Sequence, residues 1–224
     1  NHSEGGEFIR YADDAVFVFR DEETANTFRA HLTERLKEGG LNLNLDKSGI
    51  VPFTAKAPAG TVSFLGFDFY WGRNANGERT LKVKTSSKRL ARCMGEFTDW
   101  IKEHRNRKRL KLLWLEAAVK LRGHFDYYGV LFNQPKLSQY YYTCLKSLFR
   151  WLNRRSQKRS FTWKKFCQKL WFNPLPRPPS GAELIDITSS HRSERNHQPK
   201  SRMREIRTSG SVRGLSHLLW LRST

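Results

Sequence analysis

An α+β fold is what this sequence predicts, and three observations predict it. Short runs dense in Val, Phe and Ile alternate with turn residues over the first 85 positions, and apolar residues then recur at helical spacing from Leu90 to Leu170. Pro174, Pro176, Pro178 and Pro179 end that pattern. Three parts are expected: β-hairpins around one helix in 1–85, a helical bundle in 86–173, and a Pro-rich then basic tail in 174–224. The tail has few core formers and is expected to be largely disordered by itself.

Local signals place each element. Phe8–Tyr11 and Ala15–Phe19 read as two strands, with Ala12-Asp13-Asp14 as a tight connection. Asp21 is placed to cap a helix, and Glu22 and Glu23 favour its first turn through the helix dipole. Ala25, Phe28, Leu32 and Leu36 form one stripe, and Gly39-Gly40 stops the helix. Leu41 to Leu45 alternates, and Ser48 to Phe53 reads as a strand. A loop from Ala55 to Gly60 leads to an apolar run, Val62 to Phe69. Asn76-Gly77 marks a hairpin turn before Leu81–Lys84. In the bundle, Leu90, Met94, Phe97 and Ile101 give one stripe. Leu110, Leu113, Leu115, Ala117, Ala118 and Leu121 give a second helix, ended near Gly123. Leu137, Tyr141, Cys144, Leu145, Leu148 and Leu152 give a third, and Trp163, Phe166 and Leu170 a short fourth. The apolar end, Leu215 to Leu221, is suited to docking.

The chain has 224 residues, enough for one domain or two small ones. Lys and Arg total 41 against 21 Asp and Glu, a net charge of +20 and a pI near 10.3. Residues 1–85 carry 11 basic and 12 acidic side chains, and residues 86–224 carry 30 and 9. A chain this basic repels itself, and a polyanion is the natural partner. No apolar run reaches the roughly 18 residues of a membrane span. The three cysteines show no CxxC spacing, so neither a disulfide scaffold nor a zinc ribbon is expected, and a reducing compartment fits. The chain begins at Asn1 without a visible signal peptide, as a processed protein or a piece of a longer one would. A cytoplasmic, nucleoid-associated or organellar location is expected, not secretion.

Two basic clusters stand out. Arg105, Arg107, Lys108, Arg109 and Lys111 form one. Arg150, Arg154, Arg155, Lys158, Arg159, Lys164 and Lys165 form the other, interleaved with Trp151, Phe161 and Trp163. Such residues neutralise phosphates, and aromatic faces stack on unpaired bases; helix core is the more ordinary use of the aromatics. Arg122 is a further candidate phosphate contact. Tyr140, Tyr141 and Tyr142 cannot all face one way, so one of them is expected at the surface. His124 reads as a buried, hydrogen-bonded histidine at a helix end rather than a base. His191 and His197 near Glu194 lack the clustering of a nuclease site. The run Arg202 to Arg213 is suited to binding RNA by charge alone.

Tyr11-Ala12-Asp13-Asp14 is the sharpest chemical signal. Adjacent carboxylates at a hairpin tip repel unless cations neutralise them, although Asp-Asp is also simply a good turn pair. Phosphoryl transfer uses such carboxylates to hold two divalent ions about 4 Å apart. The motifs after this hairpin come in an informative order. Phe8-Ile-Arg-Tyr-Ala-Asp-Asp14 resembles the polymerase motif of group II intron-encoded reverse transcriptases, and Gly40-Leu-Asn-Leu-Asn-Leu-Asp-Lys47 resembles the next palm motif. Phe64-Leu-Gly-Phe67 resembles the primer grip. Leu121-Arg-Gly-His-Phe-Asp-Tyr-Tyr-Gly129, and Leu152 to Arg159 followed by Phe161-Thr-Trp163, resemble the thumb or maturase domain. The resemblance spans Phe8 to Pro179.

The resemblance implies a fold: the C-terminal half of a reverse transcriptase palm, then a helical thumb/maturase domain. It implies roles as well. Asp13 and Asp14 would be catalytic Mg²⁺ ligands, Asp13 the more direct. Lys47 would assist pyrophosphate departure, though it reads equally as an exposed turn lysine. Phe64, Leu65 and Gly66 would seat the primer end, with Gly66 allowing close backbone approach. The implied partners are group II intron RNA, an RNA template and a DNA primer or target. The implied activity is RNA-directed DNA synthesis and assistance to splicing. The third palm carboxylate and the fingers lie upstream in this family, so this chain alone is expected to bind RNA rather than polymerise. The alternative is a non-catalytic RNA-binding splicing factor with a relic palm.

Overall fold

The structure, a computed structural model, describes residues 7–44, 48–54, 60–155, 162–185 and 217–221. The chain divides into two units: residues 1–83 with 188–224, and residues 84–187.

The first unit begins with strands β1 (Glu7–Tyr11) and β2 (Asp14–Phe19), paired antiparallel with Tyr11 opposite Asp14. Ala12 and Asp13 form the two-residue turn, with Ala12 at φ +51°. Helix α1 (Glu22–Glu38) follows, and the Asp21 carboxylate accepts from the Thr24 N–H at 2.7 Å. Its end is a Schellman closure. Gly40 sits at φ +72°, its N–H reaching the Lys37 carbonyl, while the Leu41 N–H reaches that of Leu36. β3 (Gly49–Pro52), β4 (Thr61–Phe64), β5 (Phe67–Arg73) and β6 (Arg79–Thr85) complete the front of the chain. β7 (His217–Leu221) returns from the far C-terminus. It pairs antiparallel with both β2 and β3, giving a sheet of order β1-β2-β7-β3; β4-β5-β6 form a second. The apolar end therefore docks as a central strand.

β2 is apolar at successive positions because both of its faces are covered. Ala15 and Phe19, with half-buried Phe17, pack on Ala25, Phe28 and Leu32 of α1. Val16 lies on the other face, in a cluster with Phe53, Val62 and Phe64 that links the two sheets. The sequence suggested one continuous run from Val62 to Phe69. It is instead a hairpin whose turn is Leu65-Gly66, both at positive φ (+51° and +84°). Two successive left-handed residues match the twist of a two-residue hairpin. The Asn76-Gly77 turn is present, with Asn74 Oδ1 accepting from the N–H groups of Asn76 and Glu78. Leu41–Asn44 forms no strand.

The second unit is helical: α2 (Ser87–His104), α3 (Leu110–Tyr128), α4 (Gln134–Leu152) and α5 (Trp163–Phe172). Leu90, Phe97 and Ile101 of α2, Leu113, Ala117 and Leu121 of α3, and Leu137, Leu148 and Leu152 of α4 are buried. Four expectations need correction. α3 does not end near Gly123 but continues to Tyr128. One helical Gly costs only about 1 kcal/mol against Ala, and the buried His124, Phe125 and Tyr128 extend the stripe. Leu115 is exposed rather than core, and on α4 it is Tyr140, not Tyr141, that is fully buried. Tyr142 is the exposed member of the triplet. The stretch after Asn173 is also not all structureless: Leu175 is buried, Gly181–Glu183 form a 3-10 turn, and Ile185 bridges to Val130. Residues 186–216, with His191, His197 and Arg202 to Arg213, lie outside the described residues.

Asn133, fully buried, joins three elements of this unit. Its Oδ1 accepts from the Thr85 N–H at 2.7 Å, and its Nδ2 donates to Thr85 Oγ1 and to the Tyr128 carbonyl, both at 2.8 Å. Asn133→Ala takes the acceptor from the buried Thr85 N–H, while the Tyr128 carbonyl keeps the Val130 N–H, and should destabilise the protein by about 1–3 kcal/mol. Asn133→Asp should not rescue it, because both Nδ2 donations are removed. Urea midpoints of the two variants against wild type check this.

Candidate nucleic-acid interface

The two basic clusters, far apart in sequence, meet at one end of the helical unit. α2 and α4 end there, and helix C-termini attract cations. Trp151, in the last turn of α4, is the centre. The guanidinium groups of Arg105 and Arg154 each lie 4.9 Å from its ring centroid, and the Lys102 ammonium lies at 5.9 Å. The Arg155 guanidinium donates to the Lys108 carbonyl at 3.1 Å, tying the chain beyond α4 to the α2–α3 connection. Arg105 also donates to the Lys102 carbonyl, while its Nε is buried without an acceptor. Cation–π contacts hold these cations in place without neutralising them, because the ring carries no net charge.

The other predicted cations divide. Lys108 is committed within the fold, its Nζ lying 2.7 and 2.8 Å from the Glu116 carboxylate oxygens. That ammonium holds the Glu116 carboxyl below its ordinary pKa. Arg107 pairs with Glu103 at 3.1 Å on the surface, which is worth little. Arg109 precedes α3, and Lys111, in its first turn, is exposed. Lys164 and Lys165 are exposed on the first turn of α5, which packs on the same end of α4 through Phe149, Trp163 and Phe166. Arg122 stands apart. Thirteen residues beyond Arg109 on one helix is about 20 Å. Lys158 and Arg159 lie outside the described residues, as does Lys47.

Sequence reasoning missed two aromatics. Trp171 and Phe172, at the end of α5, are 80% and 79% exposed, about 10 Å along the helix from the exposed Lys164 and Lys165. The signal was available: both come after the last apolar position of the α5 stripe, and Pro174 closes the chain beyond them. Trp114 holds that end by donating from Nε1 to the Asn173 carbonyl, while Lys169 covers its ring at 5.3 Å.

In the first unit, Asp13 occupies the exposed hairpin tip and Asp14 opens β2, half-buried. Both are hard oxygen donors of the kind Mg²⁺ takes. Among the described residues no group of three or more His, Cys, Asp and Glu side chains is placed to hold a metal ion. Phe64 is core, at 6% exposure, which leaves the backbone of Leu65-Gly66 as the accessible part of the suggested primer grip.

The Leu121–Gly129 segment is the last third of α3 and its stop. Gly129 is required by space: a Cβ there would lie 2.5 Å from the Phe125 carbonyl oxygen. His124 is buried as expected, but within the helix rather than at its end, and its Nε2 has no hydrogen-bond partner. It stacks on Tyr140 with centroids 3.6 Å apart. Burial, with the Arg89 charge adding to it, pushes the His124 pKa down to about 3.

No family model, curated protein or solved structure matches the chain. Among the described residues no helix is long and apolar enough to cross a membrane.

The low His124 pKa makes stability depend on pH. Between about pH 6.5 and 3 the unfolded chain protonates this imidazole and the folded one does not, so stability falls as pH falls through that window. At pH 5 the loss attributable to His124 should be about 2 kcal/mol relative to pH 8. The difference in unfolding free energy between the two pH values, from urea titrations, should shrink by that amount in His124→Phe.

Proposed function

We propose that this chain is an RNA-binding portion of a group II intron-type reverse transcriptase/maturase. The helical unit grips structured intron RNA, and the first unit supplies part of a polymerase palm. The observation that supports this reading is the convergence of Lys102, Arg105 and Arg154 on Trp151, with Arg155 tied to the Lys108 carbonyl. Two sequence-distant clusters become one cationic end, flanked by exposed Lys164, Lys165, Trp171 and Phe172. The cations would contact phosphates and the exposed aromatics would stack on unpaired bases. In the parent protein Asp13 and Asp14 would join an upstream carboxylate in holding Mg²⁺, whose chemistry is to neutralise the charge of the reacting phosphates.

Binding to a structured intron RNA should weaken linearly with the logarithm of salt concentration. Substituting Arg105, Arg154 and Arg155 together by Gln should reduce that slope by about 2–3, near 0.9 for each phosphate no longer neutralised. An unchanged slope, measured by fluorescence anisotropy, rejects this end as the interface. Equal affinity of the wild type for random duplex at about 0.15 M salt rejects the intron-RNA assignment.

The palm assignment has a separate test. In a protein carrying this chain with an upstream strand carboxylate and fingers, Asp13→Asn should abolish Mg²⁺-dependent primer extension while leaving RNA affinity within about two-fold. Equal extension by the variant leaves the non-catalytic splicing factor as the surviving reading.

A further inference from the structure

A cavity of about 300 Å³ lies among α2, α3 and α4, at the lower end of the size range of ligand pockets. It is distinct from the Trp151 end. Arg89, Glu96, Lys120, Gly123, His124 and Tyr127 line it, and the exposure of Lys120 and Gly123 shows that it reaches the surface. Three features are unusual for a packing defect. The first is the buried His124, 8% exposed, whose Nε2 lacks a partner. An orphaned buried polar atom is costly unless something completes it. The second is the pair of cations on the wall. The Glu96 carboxylate that accompanies them accepts from Arg92 Nε at 2.8 Å, leaving the wall net positive. The third is the aromatic surface. Tyr127 lines the cavity half-buried, and the His124 ring is held rigidly on Tyr140 at 3.6 Å and 16°. The Tyr128 hydroxyl, accepting from Arg89 Nε at 3.0 Å, fixes that guanidinium at the wall.

We propose that this cavity takes one unpaired nucleotide, its base against the edge of His124 and its phosphate on Arg89 and Lys120. A neutral imidazole offers a donor or an acceptor at Nε2 according to tautomer, so it can meet either kind of group on a base edge. Tyr127 supplies a stacking surface, and proteins read extruded single-stranded bases by stacking plus edge hydrogen bonds. Two cations suit a phosphodiester. Gly123 contributes space, since a Cβ built there meets no atom within 4 Å. The nucleotide is supplied by bound RNA or is free in solution. Only the first source rests on the proposed RNA-binding function.

The full chain with ¹⁵N-labelled histidine distinguishes these cases. Nucleoside 5′-monophosphates, ribose 5-phosphate, inorganic phosphate and a single-stranded RNA oligomer are titrated while the His124 Nε2 resonance is followed. A saturable shift with at least one monophosphate and with the RNA, absent with the two base-free phosphates, is the expected result. Gly123→Leu, which fills the open space and improves helix propensity, should weaken that response at least ten-fold. It should melt no lower than wild type and still bind RNA through the Trp151 end. An Nε2 signal unmoved by every nucleotide and by RNA overturns the proposal, leaving a water-filled cavity. An equal shift with inorganic phosphate also overturns it, in favour of a simple anion site. A shift with monophosphates in a chain that fails to bind RNA upholds the pocket and rejects the RNA interface. A shift with monophosphates but not with bound RNA rejects RNA as the source.

Discussion

The helical unit depends on a single buried amide. Asn133 sits at the N-cap of α4, and its side chain bonds to the end of a strand and to the end of α3. Its three hydrogen bonds use one acceptor and two donors, a set that no carboxylate or hydroxyl supplies. Phe132, just before it, sits at φ +70°, a conformation costly for a bulky residue and tolerated because the node overdetermines it. With the end of α3 fixed, Gly129 closes against the Phe125 carbonyl and the ring of His124 stays on Tyr140. The cavity wall and the helix ends that gather the cations are therefore set by polar geometry as much as by apolar burial.

Two of the three non-glycine residues with positive φ among the described residues lie in hairpins that sequence motifs singled out. Ala12 and Leu65, both at φ +51°, occupy the first turn positions of the two motif-bearing hairpins. Each costs about 1–2 kcal/mol against an ordinary conformation. The packing beside them offsets that cost: Tyr11, Leu65 and Val16 belong to one cluster linking the two sheets. Strain at a turn that displays two carboxylates, supported by a strand buried on both faces, is the arrangement expected where side-chain direction matters more than stability.

Much of this was legible in the sequence where local rules decide. Asp21 as a cap, Gly39-Gly40 as a stop and Asn76-Gly77 as a turn each carry their own geometry within a few residues. The helical stripes were legible for the same reason. Distant partners decided the features that local rules missed. Gly123 looked like a terminator because nothing nearby announces that His124 and Tyr128 are buried against other helices. Leu65-Gly66 looked like the middle of a strand because Leu is rare in a left-handed turn. β7 was readable only as an apolar end, since its partners lie nearly two hundred residues earlier. The site showed the same division: residue types and charge clusters were visible, but their meeting at Trp151 and the commitment of Lys108 to Glu116 were not.

Charge explains why the helical unit is built as it is. Residues 84–187 carry 23 Lys and Arg against 7 Asp and Glu. Seven carboxylates cannot neutralise that many cations, and three of them, Glu96, Glu103 and Glu116, are already paired on α2 and α3. The remaining repulsion opposes compaction and grows as the cations are brought together. Yet the fold brings them together, placing three cations on one indole rather than beside carboxylates. Pairing each with an acid would have relieved the repulsion and removed the field. Holding them on an aromatic ring orients them without neutralising their charge, and under the RNA-binding function proposed above bound phosphates would return the stability withheld from the free protein.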